Sequence, residues 1–490
     1  MSPVPLLWVV PLALYLLTFV IAFAPWTNAV RLTALARRLL PGVAIFIAYT
    51  LAIGAQSPLA LLLVLHLAGL VLAGLLCHGR LAADRPGTGR LTEFYLWVAL
   101  GGALGGAFNA LLSPLIFPGL VEYPLAIVAA CLLRPTPPTK RPNLLEMLLS
   151  DPRPTRVMDV LVPLLLGSAV AMALVASGQS ETDESVVIGA ACGLSLNLAR
   201  RPLRFGLALG AIFLAAAIAA PDDAVLERER SFFGTYRVVE SDDGALHKLY
   251  SGTTLHGAER VGPGRPEPLS YYGRAGPAGH AFTQLPSAST RRVAAVGLGT
   301  GSLACLLRPG SEVTFYEIDP TVEGIARDPR FFSFLRACAV RSRVVIGDGR
   351  RSLEREPKGR FGLVAVDAFN SDAIPLHLIT REAVALYTSR LSAGGSLLFH
   401  LSNRYLDLEP VLGNIAAELK LTCRIRDDTE AETAESLGYA PSTWALLARR
   451  PADLGGIRRD GRWSRCDDDD PSAETWTDDY SNPLGVVDWG

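Results

Sequence analysis

The sequence predicts a chain in two unlike parts: an α-helical multi-pass membrane domain, then an α/β domain with a doubly wound sheet that a small antiparallel β-subdomain precedes. Three observations carry this reading. Apolar segments of membrane-spanning length run almost unbroken to about residue 221. From Ser231 short alternating stretches replace them. From residue 291 strand-like runs alternate with helical ones around the glycine-rich turn "VGLGTGS".

The chain has 490 residues, half of them apolar and 19% charged, and these averages conceal the contrast between the parts. A net charge of −1 gives no footing for a nucleic-acid partner. Seven cysteines stand singly, without a CxxC pair or metal-ligand spacing. They are expected as core or lipid-facing thiols, not as disulfides or zinc ligands, and no metal is expected.

A bilayer core takes about 20 apolar residues per helix. Candidate segments lie at roughly 5–25, 41–56, 58–77, 93–113, 116–133, 157–177, 186–199 and 203–220, making seven or eight spans within a membrane domain of residues 1–221. The first lacks the basic start of a secretory signal, and further apolar segments follow it at once. "RLTALARR", "HGRLAADRPGTGR" and "RPTPPTKRPNLLEMLLSDPRPTR" read as basic, turn-forming loops. The small residues of "LGGALGGAFNALLSPL" recur at helical spacing and predict close helix packing within the bundle.

"PDDAVLERER" reads as a linker, and "SFFGTYRVVE" and "LHKLYSGTTLHGAE" as strands of a β-subdomain over residues 222–290. A Rossmann-like domain follows over 291–452, with strands in "RRVAAVGLG", "EVTFYEID", "RSRVVIGDG", "FGLVAVDAF" and "GGSLLFHLSN". Ligands of such sheets bind at the carboxyl ends of the strands. Gly297, Gly299 and Gly301 follow the first strand, where absent side chains let a ligand approach backbone N–H groups at a helix start. Glu317 or Asp319 ends the second strand, about 20 residues on, placed for ribose hydroxyls. Asp348 closes the third strand and Asp367 the fourth. A nicotinamide cofactor would suit the first two features alone. Acids at successive tips favour an S-adenosyl nucleoside, set against the simpler role of capping the next helix.

In this order "YYGRAGPAG", "GLGTGSLA", "YEIDP", "GDGR" and "VDAFNSDAIPLHLIT" resemble the spermidine synthase family of polyamine aminopropyltransferases, particularly bacterial members fused to multi-spanning membrane regions. The likeness covers roughly 230–450, and "FYLWVALGGALGGAFNALLSPLIFPGLVEYPLAI" looks like the membrane part of the fused proteins. It implies an S-adenosylmethionine-dependent-transferase-like fold, in which the glycine turn with Thr300, Glu317 and Asp348 with Gly349 hold a thioadenosine. Asp367 would then face the amine and take its proton, with Tyr271 and Tyr272 walling the pocket. Asp372 would bind the far end of a polyamine, and the loop from Phe369 to Thr380 would close over the site. The implied donor is decarboxylated S-adenosylmethionine or S-adenosylmethionine itself. The implied acceptor is a small amine or polyamine, and a homodimer is compatible with the resemblance.

The sequence also departs from that family's pattern. Thr300 stands where those enzymes carry an Asp inside the glycine turn, Gly273 follows Tyr271 and Tyr272 where an acid is usual, and four residues separate Asp367 from Asp372. Three activities stay open at this point: aminopropyl transfer, methyl transfer from intact S-adenosylmethionine, and ligand binding without catalysis in a transporter or sensor. Ionisable residues such as Glu122 and Asp159 fall near segment ends, which favours an anchor over a transport path.

His256, His280, His377 and His400 have no partner at ligand spacing and read as structural. Residues 453–490, with "RCDDDD" and "DDY", read as a solvated acidic tail. For a chain of the bacterial inner membrane, arginines in alternate loops put the soluble domain outside if there are eight spans. S-adenosyl donors are made in the cytosol, however, and a re-entrant 186–199 would leave seven spans. The expectation therefore leans to a cytoplasmic domain.

Overall fold

The computed structural model describes residues 5–24, 28–55, 57–136, 156–176, 181–219, 225–241, 243–252, 254–262, 264–338, 340–369, 374–403, 406–428, 439–466 and 474–487. Asp372, the run 467–470, and most of the proline-rich loop after residue 134 lie outside them. The chain divides into two compact units, Pro5–Asp222 and Asp223–Gly490.

In the first unit five helices are long and apolar enough to cross a membrane: Ala29–Ala52, Leu59–Ala83, Thr88–Ile116, Val157–Ala176 and Pro202–Ala219. Val9–Phe23 and Glu122–Leu132 are shorter apolar helices, and Glu181–Ser195 runs on into one 3-10 turn, Leu196–Leu198. Large apolar side chains such as Leu12, Trp97, Leu115 and Met172 face outward, as a lipid-embedded bundle requires. Phe205, Ala208, Leu209 and Ile212 are buried at its centre. A side chain at Gly206 would stand 2.7 Å from Leu132.

Two expectations need correction. The segment expected over 41–56 starts at Ala29, so "RLTALARR" is helix, consistent with its Leu, Ala and Arg content. The glycines of "LGGALGG" meet no neighbour within 4 Å; their stripe makes no close helix contact among the described residues.

Arginines gather at one end of this bundle. Arg80 donates to the Leu133 carbonyl at 2.5 Å, Arg134 to the Arg37 carbonyl at 3.4 Å, and Arg204 pairs with Asp159 at 2.8 Å. The chain leaves helix Pro202–Ala219 by its opposite end.

The second unit opens on a four-stranded antiparallel sheet, β1 (Val225–Arg230), β2 (Thr235–Glu240), β3 (Leu246–Ser251) and β4 (Thr254–Arg260), in sequential order. The stretch read as a linker thus supplies β1, its side chains alternating in burial as an edge strand's do. The larger sheet has β5 (Arg292–Val296), β6 (Glu312–Glu317), β7 (Arg341–Ile346), β8 (Phe361–Val366), β9 (Leu391–His400), β10 (Thr422–Asp427), β11 (Thr443–Ala448) and β12 (Ser464–Arg465). Their order is β12-β10-β11-β9-β8-β5-β6-β7. The run from β9 to β7 is parallel, and β11, β10 and β12 add antiparallel strands at one edge. The order reverses direction between β5 and β8, the place where ligands of doubly wound sheets bind.

The tail and the cysteines also differ from expectation. Leu454, Ile457, Trp463 and Trp476 are buried in the domain core, so residues 453–490 include integral parts of the fold. Counting their acids masks those few large apolar anchors. Cys305 is bonded to Cys338 and Cys423 to Cys466; Cys77, Cys131 and Cys192, all in the helical unit, are free. Pairs 33 and 43 residues apart leave no spacing signal, because strand topology alone brings them together.

Trp476, fully buried, gives a direct check on the tail. Trp476→Ala should cost about 3–5 kcal/mol of stability, read as a lowered unfolding midpoint of the full chain in detergent. An unchanged midpoint would return the tail to solvent.

Candidate functional site

The tips of β5, β6, β7 and β8 enclose one cavity, closed on the other side by β2, β3 and β4. Its lining includes Gly297, Leu298 and Gly299 of the turn, then Glu317, Asp348, Gly349 and Asp367, with Phe233, Tyr236, His256, Tyr271, Phe369 and His377 around them. The sheet's own hydrogen bonds fix these tips: Asp367 N–H donates to Val296 O at 2.8 Å, Gly297 N–H to Tyr316 O at 2.9 Å and Gly347 N–H to Glu317 O at 2.8 Å.

Gly297 has φ +99, and a Cβ there would lie 2.0 Å from the Asp367 carbonyl oxygen. The glycine thus first lets the chain's own strand tips meet. The structure following the turn is a short 3-10 helix, Ser302–Leu306, in place of the helix start expected. Thr300 is buried against Gly257 and does not line the cavity, so its hydroxyl is placed away from a ligand.

Of the two candidate ribose acids, the structure brings Glu317 to the cavity and not Asp319. Glu317 Oε2 accepts Leu298 N–H and Oε1 accepts Asp319 N–H, both at 3.0 Å. Burial raises its carboxyl above the usual glutamate value, against the pull of these backbone donors. Three backbone N–H groups, of Asp319, Leu298 and Ile318, thus act on this carboxylate. Asp319 instead caps helix Pro320–Arg327, accepting Thr321 N–H at 2.9 Å, and takes the Ser231 hydroxyl.

Asp348 caps a helix and also lines the cavity. Its Oδ1 caps helix Gly349–Glu354 by accepting Arg351 N–H at 2.8 Å, while Oδ2 lies 3.2 Å from His377 Nε2 at the cavity edge. The tail supports this edge: Asp478 pairs with Arg350 at 2.6 Å and accepts the Thr380 hydroxyl at 2.8 Å. Arg350 in turn holds the Asp478 carboxyl below its usual value.

Asp367 is held at both oxygens. Tyr272 donates to Oδ2 at 2.5 Å, and His400 Nδ1 lies 2.7 Å from Oδ1. Burial first, and then the nearby Asp367 charge, push the Tyr271 and Tyr272 phenols well above their ordinary value, so both stay protonated as donors. Tyr271 lines the cavity and donates to the His256 carbonyl at 3.2 Å; Tyr272 sits behind, orienting the acid.

Sequence reasoning passed over Phe233, Tyr236 and Ser251 as lining residues, and read His256, His377 and His400 as structural. His256 and His377 line the cavity, His400 meets Asp367, and His280, on helix Pro277–Gln284, accepts Trp463 Nε1–H at 3.0 Å. No local signal marks His400, which reaches Asp367 through strand pairing across 33 residues.

No model of a known protein family matches the chain. A stretch of 112 residues, 22% of the chain, is 38% identical to a polyamine aminopropyltransferase of Vibrio vulnificus (strain CMCP6), which bears out the resemblance carried by the motifs. The stretch spans 36% of that relative's length. Among solved structures, a probable spermidine synthase from Corynebacterium glutamicum ATCC 13032 aligns with TM-score 0.40 and 16% identity, over 54% of this chain and 98% of the other. The spermidine synthase of Thermotoga maritima aligns with TM-score 0.34 and 12% identity, over 52% and 82%.

The close contact at Gly297 yields a test. Gly297→Ala should force β5 and β8 apart and abolish ligand binding at the cavity while the helical unit keeps its secondary structure, seen by circular dichroism and calorimetry. Wild-type binding in this variant would show that the contact does not shape the site.

Proposed function

We propose that the chain is a membrane-anchored aminopropyltransferase. It transfers an aminopropyl group from decarboxylated S-adenosylmethionine to a small amine and releases methylthioadenosine. The observation that carries this reading is the Asp367 carboxylate, held at both oxygens at the switch point of the sheet, in one cavity with Glu317 and Asp348. In this reading Glu317 accepts the ribose hydroxyls, and Asp348 with Gly349 holds the base. Asp367 takes a proton from the acceptor ammonium. The freed nitrogen lone pair then attacks the carbon beside the sulfonium, the C–S bond breaks, and its electron pair stays on sulfur. Tyr271 and Phe369 offer aromatic faces to the cations involved.

The full chain in detergent should bind methylthioadenosine in calorimetry and prefer decarboxylated S-adenosylmethionine to the intact donor. Asp367→Asn should keep nucleoside binding and lower turnover about 10²–10⁴-fold. Absence of binding heat, or turnover unchanged in Asp367→Asn, would remove this reading, and preference for the intact donor would favour methyl transfer.

Because burial raises the Glu317 carboxyl, it protonates at a higher pH than an ordinary glutamate, about 4.3. Ribose hydroxyls bind the ionised form, so methylthioadenosine affinity should fall as pH drops through that raised value. The stability of the unliganded fold runs the other way: the contribution of protonated Glu317 is present at low pH and is lost as pH rises through the same value. Affinity that stays flat across this acid range would take the ribose role from Glu317.

We further propose that the catalytic unit faces the oxidising, extracytoplasmic side, against the cytoplasmic lean of the sequence. All four of its cysteines are paired, while the three in the helices are free; such bonds persist where thiols are not kept reduced. The arginine-rich end of the bundle would be cytoplasmic by the positive-inside rule, and the chain leaves the last helix by the other end. A reporter fused after Gly490 should show alkaline phosphatase activity and no fluorescence from a cytosol-only protein. The reverse pattern would place the donor site in the cytoplasm.

A further inference from the structure

His400 ends β9, the strand next to β8, and is 5% exposed. Its ring does not line the cavity; it touches the acid that does. Trp444 stacks on one face, with ring centres 4.4 Å apart and planes 4° from parallel, while Tyr271 and Phe369 stand 4.7 Å away. Rotation about the ring bond is therefore blocked, and each nitrogen has a fixed address. Nδ1 lies 2.7 Å from Asp367 Oδ1 and Nε2 lies 2.7 Å from Ser402 Oγ.

The Asp367 carboxylate, which only accepts, sets the hydrogen on Nδ1, and on the other side Ser402 supports that tautomer. Its oxygen accepts Thr443 N–H at 2.9 Å, leaving its own hydroxyl hydrogen to donate to Nε2. His400 Nδ1–H then donates to Asp367. Together with the Tyr272 hydroxyl, this occupies one lone pair on each carboxylate oxygen. Two of the four acceptor sites stay open, and the carboxylate cannot swing about its Cβ–Cγ bond.

We propose that His400 is a positioning residue for Asp367, with Ser402 supporting its tautomer, and that this pair aims the carboxylate's free lone pairs at the acceptor amine. The assignment rests on the aminopropyl-transfer reading, in which Asp367 removes one proton from that amine. His400 touches neither donor nor acceptor. Its loss should therefore lower turnover without weakening nucleoside binding.

The test uses the full chain in detergent, decarboxylated S-adenosylmethionine and a diamine, with kcat and KM for the donor measured beside methylthioadenosine affinity. His400→Ala should lower kcat on the order of 10- to 100-fold, the worth of a hydrogen bond to a charged group, with donor KM and methylthioadenosine affinity within about 2-fold of wild type. His400→Gln, which restores an N–H donor at similar reach, should recover most of the loss. Ser402→Ala leaves the ring's packing intact and removes the Nε2 partner that anchors the ring behind Asp367, so it should lower kcat in the same direction and keeps the proposal testable if His400→Ala fails to fold. Wild-type kcat in both His400→Ala and Ser402→Ala overturns the proposal. So does a parallel loss of kcat and methylthioadenosine affinity, which would mark a structural role. Wild-type protein that binds methylthioadenosine but transfers no aminopropyl group would instead refute the parent reading, and the positioning role with it.

Discussion

The site depends on one backbone contact. Asp367 N–H reaches Val296 O at 2.8 Å, and only a glycine at 297 leaves room for the Asp367 carbonyl beside the turn. Parallel pairing of β5 with β8 thereby sets the acid against the glycine turn at the reversal point of the sheet. β6 and β7 continue the register outward and deliver Glu317 and then Asp348 along the same edge. A slip of one residue in any of these ladders would turn the acid at its tip to the other face of the sheet. Hydrophobic strand cores such as Val364, Ala365 and Val366, all fully buried, oppose that slip.

Loops at strand tips need backing to hold a cavity open in one shape. Two long-range devices supply it. The bond between Cys305 and Cys338 ties the 3-10 turn that follows the glycines to the segment before β7. At the far side, buried Trp476 accepts Arg381 N–H through its carbonyl at 2.8 Å, and Asp478 clasps Arg350 and Thr380. The C-terminal residues thus reach back to the base of the loop that carries Pro375, His377 and Leu378 into the cavity lining.

Much of this was legible in the sequence where a local pattern reports it. The five parallel strands appear as apolar runs, and the acids that line the cavity stand at their ends, because the fold puts ligand contacts there. What the sequence hid has no local signature. β1 looks like a charged linker since this edge strand has no fully buried side chain. The cysteine pairs and the His400–Asp367 contact span 33 to 43 residues and exist only once strand order is known. The choice between Glu317 and Asp319 turns on which carboxylate the next helix claims as its cap, a matter of two residues.

Two positions depart from the family pattern that the motifs resemble, and packing accounts for one of them. At Gly273, where the resemblance expects an acid, a Cβ would stand 3.0 Å from the Tyr439 ring. That ring, its hydroxyl bonded to Asp428, occupies the volume a longer side chain would need. Thr300, the other substituted position, is turned against Gly257 instead of toward the ligand. The acids on the described cavity wall are Glu317, Asp348 and Asp367. On the described wall, then, the glycine turn, Glu317 and Asp348 stand where the resemblance expects them, while beside Gly273 the Tyr439 ring takes the space of the expected acid.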